Sequence, residues 1–189
     1  MKLFWVSFLI VLTIGRNAVW QRQETLWKAT TETSPNKPRA HMALGIIYAA
    51  SQRNDLAMAE YQAAFRTADD TEPFHYQSAA LSNMGKIFLD AGDHTKSAPF
   101  FTKALIMNPK SEQAATNLAV VFLRTGNPRM AMRILDQAAV DHPGAGGILF
   151  NQSEAMRLMG RCEEALELWK LAKQAFLDLP QRQCVGRFQ

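Results

Sequence analysis

The chain has 189 residues, enough for one ordinary domain, and its 48% apolar and 20% charged content excludes an unfolded polar tail. Its net charge of +4 is modest, and no run of five or more basic residues occurs. That absence excludes a nucleic-acid stripe and a polybasic membrane patch.

Residues 1–15 read as a signal peptide or a membrane anchor. From Leu3 to Ile14 the residues are mostly apolar, a run that suits a signal-peptide core and falls short of the roughly 20 needed to span a bilayer. Thr13, Ile14 and Gly15 offer a cleavage site. Uncleaved, the helix continues through Asn17 and Ala18 to Trp20, so the chain would meet the membrane through residues 1–20, with Arg16 snorkelling and Trp20 at the interface. Lys2 on one side and Arg16, Arg22 and Lys28 on the other leave the orientation open. Residues 16–37 are expected to hold an anchor-proximal helix.

Beyond that point a period of 34 organises the chain. Gly92, Gly126 and Gly160 recur at that interval, as do Ser97, Ala131 and Ala165, then Phe101, Leu135 and Trp169, then Ala104, Ala138 and Ala172. Pro109 and Pro143 close two successive units. Leu44, Gly45, Tyr48, Ala57, Tyr61 and Ala64 repeat the internal spacing of Met84, Gly85, Phe88, Ser97, Phe101 and Ala104, displaced by 40. The six extra residues are placed at Glu72 to Gln77. Four repeats follow, at 38–71, 78–111, 112–145 and 146–179, ahead of a tail at 180–189.

Each unit reads as two amphipathic helices. Ala131, Ile134, Leu135 and Ala138 fall on one face of a 3.6-residue helix, and Ala165, Leu168, Trp169 and Ala172 do the same. Asn127 before Pro128, and Ser111 before Glu112, mark helix starts. Pro99 should bend its helix or cost it a hydrogen bond, and the glycines at 144, 146 and 147 should loosen the start of the fourth unit.

The period and its columns resemble the tetratricopeptide-repeat family. Leu44, Gly45 and Tyr48, and Met84, Gly85 and Phe88, carry its motif, while Ala119 and Ser153 replace the glycine in later units and Asp69 the first terminal proline. The resemblance covers residues 38–179 and implies an all-α fold, a right-handed superhelix of αα pairs, here preceded by a hydrophobic N-terminal helix. A second resemblance lies at the junction. Arg16, Asn17, Trp20, Leu26, Trp27, Pro35, Arg39, Ala40, His41, Leu44 and Gly45 are similar to the membrane-to-repeat junction of tetratricopeptide-tailed protein O-mannosyltransferases and their bacterial relatives. Trp27 and Pro35 fall 34 before Tyr61 and Asp69, so 21–35 resembles the second helix of a half-repeat. Those enzymes carry their chemistry in many membrane helices and this chain offers at most one, so the activity does not transfer. The resemblance implies a repeat domain close to lipid, on the periplasmic, lumenal or outer side; the alternative is an exported soluble protein.

No catalytic residue, metal site or cofactor is expected. His41, His75, His94 and His142 are scattered without ligand spacing, and no phosphate loop or nucleophile motif appears. Cys162 and Cys184 are the only cysteines; they could form one disulfide or stay free thiols.

Protein binding has the better case. In the repeat family the first helix of each unit lines a groove, and Asn83, Asn117 and Asn151 recur on those helices at the repeat interval. Amides both donate and accept, so such a ladder could grip an extended peptide backbone. The other reading of the column is hydrogen bonding between repeats. Arg39, Lys86, Arg124 and Arg157 join the candidate surface, the last three favouring an acidic segment. At the C-terminal end Trp169 and Phe176 belong to a face expected to be uncovered, where a partner or a second copy would make a homodimer. The expected function is a membrane-tethered or exported adaptor that assembles a membrane-associated complex. The alternative is a non-catalytic accessory subunit of an envelope or glycosylation enzyme.

Overall fold

The computed structural model describes residues 23–68 and 75–175, and among these every regular element is a helix. Helix α1 covers residues 23–33. It is followed by α2 (Pro38–Ala50), α3 (Asn54–Thr67), α4 (His75–Asp90), α5 (His94–Met107), α6 (Glu112–Arg124), α7 (Pro128–Asp141), α8 (Gly146–Leu158) and α9 (Cys162–Ala175). From α2 onward the helices follow one another as α2–α3, α4–α5, α6–α7 and α8–α9. The chain divides between Ala80 and Leu81 into two compact units.

In the first unit α2 packs on α3, burying Ala40, Leu44, Ile47, Tyr48, Ala57, Tyr61 and Ala64. The close crossing depends on Gly45, because a Cβ built there would sit 2.5 Å from Tyr61 Cε1 and 2.7 Å from Cδ1. The tyrosine ring occupies the space a side chain would need. Burial pushes the Tyr61 phenol up to about 12, so it stays neutral in the core.

Polar contacts fasten α1 to this pair. Arg53 donates to Glu24 through both terminal nitrogens and lies over the Tyr48 ring at 4.5 Å, while Lys28 pairs with Glu24 at 2.6 Å. The Arg53 guanidinium, with Lys28 second, holds the Glu24 carboxyl at about 2, below the ordinary 4.5. His41 Nδ1 meets Glu60 Oε2 at 2.7 Å and its Nε2 donates to the Pro35 carbonyl at 2.8 Å. This histidine is a packing residue that ties the α1–α2 turn to α3.

In the second unit Leu89, Phe101, Leu118 and Val121 form one cluster, and Ala115, Ala119, Ala131, Leu135, Ala138 and Ile148 another. Gly85 repeats the crossing of Gly45, with Phe101 Cε1 2.9 Å from a Cβ built there. In the next pair Ala119 takes the glycine's place and packs in one cluster with Leu135, a smaller partner than an aromatic ring. At the turns inside the pairs Gly92, Gly126 and Gly160 adopt φ of +78°, +76° and +77°, a conformation costly for other residues, which explains that column. Gln52 fills the corresponding turn of the first pair at φ 62°, a cost of roughly 1 kcal/mol.

Helix α6 packs against α5, α7 and α8, and α8 against α7 and α9. Side chains of α5 and α7 meet over α6, Leu105 against the cluster of Leu135 and Ile134 against that of Phe101. Two bonds join α6 to α4: Gln113 Nε2 donates to Asn83 Oδ1 at 3.1 Å, and Arg124 donates to the Leu89 carbonyl at 3.3 Å.

Several local expectations are refined. Part of the segment expected to be an insertion, His75 to Gln77, is helical and makes α4 16 residues long against 13 for α2, α6 and α8. Ser111 caps α6 through a bond from the Ala114 amide, but Asn127 makes no side-chain cap; its amide donates to the Thr125 carbonyl. Helix α5 runs through Pro99, and α8 starts at Gly146 despite its glycines. Cys162 is disulfide-bonded. The expected hydrophobic N-terminal helix, the membrane contact through residues 1–20, Phe176, Cys184 and the tail at 180–189 all lie outside the described residues.

Two predictions follow from the first unit. Alanine is the better helix former by about 1 kcal/mol, but overpacking against a rigid buried ring costs about 1–3 kcal/mol. Gly45→Ala should therefore lower the urea-unfolding free energy, and an unchanged or raised midpoint would show that the ring can yield. The Glu24 contribution is complete above the unfolded carboxyl value of 4.5 and is lost as pH falls towards 2. Hydrogen exchange of residues 23–33, corrected for intrinsic rates, should lose protection across that window in the wild type, while Glu24→Gln is less protected at pH 7 and shows no such step.

Candidate functional site

The layer made by α4, α6 and α8 carries most of the expected binding residues. Asn83, Asn117 and Asn151 are half-buried at equivalent positions on its three helices, with Lys86 exposed on α4, Arg124 exposed on α6 and Arg157 half-buried on α8. The three asparagines differ in what they already hold. Asn83 Oδ1 accepts from Gln113, a bond between helix pairs. Asn151 Nδ2 donates 2.9 Å to the Gly147 carbonyl one turn back on α8. Asn117 makes no side-chain hydrogen bond among the described residues, so its amide has both donor and acceptor to offer. The column thus divides between the two readings of it: Asn83 joins repeats, Asn151 braces its own helix, and Asn117 faces outward unsatisfied.

The cations are similarly engaged. Lys86 Nζ lies 2.6 and 2.7 Å from the two Asp90 oxygens, and Arg157 pairs with Glu154 at 3.0 Å. Arg124 is spent on the Leu89 carbonyl. An acidic ligand at this wall would have to displace internal acceptors, and surface pairs of this kind contribute little enough, ~0–1 kcal/mol, to be displaced.

The remaining expected residues lie elsewhere. Arg39 is exposed on α2, in the first unit. Trp169 belongs to α9 and is half-buried, whereas Phe101 and Leu135, its counterparts in the column, are 0% exposed. Its indole nitrogen is buried without a partner among the described residues, and Lys173 Nζ lies 5.1 Å from its ring centroid. The apolar residues that α9 displays are Leu166 and Leu171.

One buried polar group escaped the sequence reading. Gln152 occupies the column of Leu44, Met84 and Leu118, is 8% exposed, and donates 2.8 Å to Asp136 Oδ1. The register alone would have placed it in the core; the carboxylate that satisfies it could not be found without the fold. Also missed were Ile106 and Val140, each 75% exposed on the outward side of the second helices, although they stand one repeat apart. Among the described residues no group of three or more metal-ligating side chains occurs, and no helix is long and apolar enough to cross a membrane.

Comparison with known proteins bears on the repeats directly. Residues 24–73 and 88–149 match two tetratricopeptide-repeat family models, together more than half of the chain. Over 90 residues the chain is 33% identical to the photosystem I assembly protein Ycf3 of Cyanophora paradoxa, covering 44% of this chain and 50% of that protein. The chain thus spans about half the length of the curated relative it matches. A structure from the functional characterisation of Pseudomonas aeruginosa PilF superposes with a TM-score of 0.70 at 16% identity, covering 92% of this chain and 75% of that one. YrrB, described as a tetratricopeptide-repeat protein with an unusual peptide-binding site, superposes with a TM-score of 0.59 at 14% identity, covering 88% and 82%. At these identities the structural likeness establishes the fold.

Because the asparagines carry different loads, their removal should cost different amounts. Asn151→Ala should lower thermal stability by the equivalent of about 1 kcal/mol, one intrahelical bond. Asn117→Ala should stay within about 0.5 kcal/mol of the wild type. Equal losses in thermal unfolding would mean that Asn117 is structurally engaged after all.

Proposed function

Given that the chain belongs to the tetratricopeptide-repeat family, we propose that it is a non-catalytic adaptor, membrane-tethered or exported, that holds a protein partner along the α4–α6–α8 layer and helps assemble a membrane-associated complex. The observation that carries this reading is Asn117, an unsatisfied amide in the middle of a half-buried polar wall. Its neighbours Asn83 and Asn151 keep a donor or an acceptor free after their internal bonds. A peptide backbone needs that alternation of donors and acceptors, whatever its sequence.

Assembly as the purpose draws on the relative named for photosystem I assembly, and peptide capture on the fold shared with YrrB. The tether rests on sequence, on the apolar run from Leu3 to Ile14 and on the likeness of residues 16–45 to a membrane-to-repeat junction. A disulfide at Cys162 suits an oxidising compartment, which agrees with the repeats lying on the periplasmic, lumenal or outer side. The second reading, an accessory subunit of an envelope or glycosylation enzyme, draws on the same junction.

The test is a mild-detergent pull-down of the full tagged chain from its native host, with quantitative mass spectrometry of what accompanies it. Asn117→Leu should reduce recovery of the principal partner several-fold while the variant unfolds at the wild-type temperature. Undiminished recovery would reject this wall as the docking surface. A stoichiometric partner that is itself a glycosyl-transfer or envelope-synthesis enzyme would decide for the second reading.

A further inference from the structure

The outer side of the second unit has a different chemistry. A cleft of about 400 Å³ lies between α5 and α7, with Ala115 of α6 lining it. Leu105, Pro109, Ile134 and Ala138 supply apolar walls and Arg133 lies at its edge. Ile106 and Val140, at the same position of successive second helices, are each 75% exposed. Ile106 directly follows the cleft residue Leu105 on α5, so an exposed apolar side chain neighbours the cleft wall.

Arg133 is the one charged residue of the cleft's lining; it is exposed and has no acidic partner among the described residues. On the same helix Asp141 is paired with Lys110 at 3.4 Å, and Asp136 accepts from Gln152 of α8. What the cleft lacks is a negative charge beside its apolar walls.

We infer that the α5–α7 cleft is a second docking site, which takes a segment of a partner protein carrying apolar side chains flanked by carboxylates. Leucine-sized groups enter between Leu105 and Ile134, and a flanking carboxylate meets Arg133. The site lies among the second helices, on different residues from the wall proposed above, and it does not depend on that wall's function. Together the two surfaces would let one chain hold two partners at once.

The probe is a short fluorescein-labelled peptide built only of leucine and glutamate, titrated into the full chain by fluorescence anisotropy. Two controls replace glutamate by lysine or leucine by serine. The expected result is saturable binding of the leucine–glutamate peptide alone, weakened about tenfold by Arg133→Glu and restored by charge swap with the leucine–lysine peptide. Ile106→Asp should weaken it to a similar degree, and Asn117→Leu should leave it unchanged, which separates this site from the wall. Circular dichroism checks that each variant keeps its helix content. Binding of the lysine peptide to the wild type, or indifference to Arg133→Glu, would overturn the inference. So would light scattering that shows the chain self-associating through a surface disrupted by Ile106→Asp, since the occupant would then be a second copy.

Discussion

Everything in this molecule hangs on the close crossing of the two helices in each pair. Gly45 lets α2 approach α3 only because the Tyr61 ring fills the place of its missing side chain, and Gly85 stands in the same relation to Phe101. Ala119 follows the rule with a smaller partner, Leu135. The columns at Ala57, Ser97, Ala131 and Ala165, all buried, keep the rest of the crossing thin. A single pair so flat has no interior of its own and must cover its apolar face with the next pair, which is why the unit of stability is the stack rather than the repeat.

That constraint is also why so much of the fold could be read from the chain. A crossing that tolerates only small residues at set positions leaves a periodic signature. The turns were legible too, since three of the four glycines with φ near +77°, Gly92, Gly126 and Gly160, sit in one column. What escaped were features set by contacts between columns. The displacement of 40 shows that residues were added near Glu72 to Gln77, but not that His75 to Gln77 join α4 as helix. The docking of α1 by Glu24, Arg53 and Lys28 joins residues far apart in sequence, in a polar pattern with no period.

The candidate site was less legible, and the reason is physical. A repeated asparagine announces a repeated position, not a repeated role. Whether its amide is spent depends on neighbours that do not repeat: Gln113 for Asn83, the Gly147 carbonyl for Asn151, and none among the described residues for Asn117. The same holds for charge. Lys86, Arg124 and Arg157 share a face, yet each is held by an acceptor that the period does not predict. Their sequence positions suggest an acid-binding wall, whereas the carboxylates paired with Lys86 and Arg157 bring it closer to electrical neutrality, with Arg124 keeping its charge.

This neutrality gives the two layers different selectivities. Where charges are already paired, a ligand gains little from bringing a carboxylate, since it must first separate an existing pair to use the cation. Amides carry no such cost, and a wall of them favours a backbone whatever its side chains. At the α5–α7 cleft the balance is reversed, because Arg133 has no acidic partner among the described residues while Asp141 of the same helix is paired with Lys110. A partner at the site inferred there would gain from both charge and apolar burial, and so would need a particular sequence. The same stack thus presents two surfaces of different chemistry, an amide-bearing wall on α4, α6 and α8 and an apolar cleft with one unpaired cation between α5 and α7.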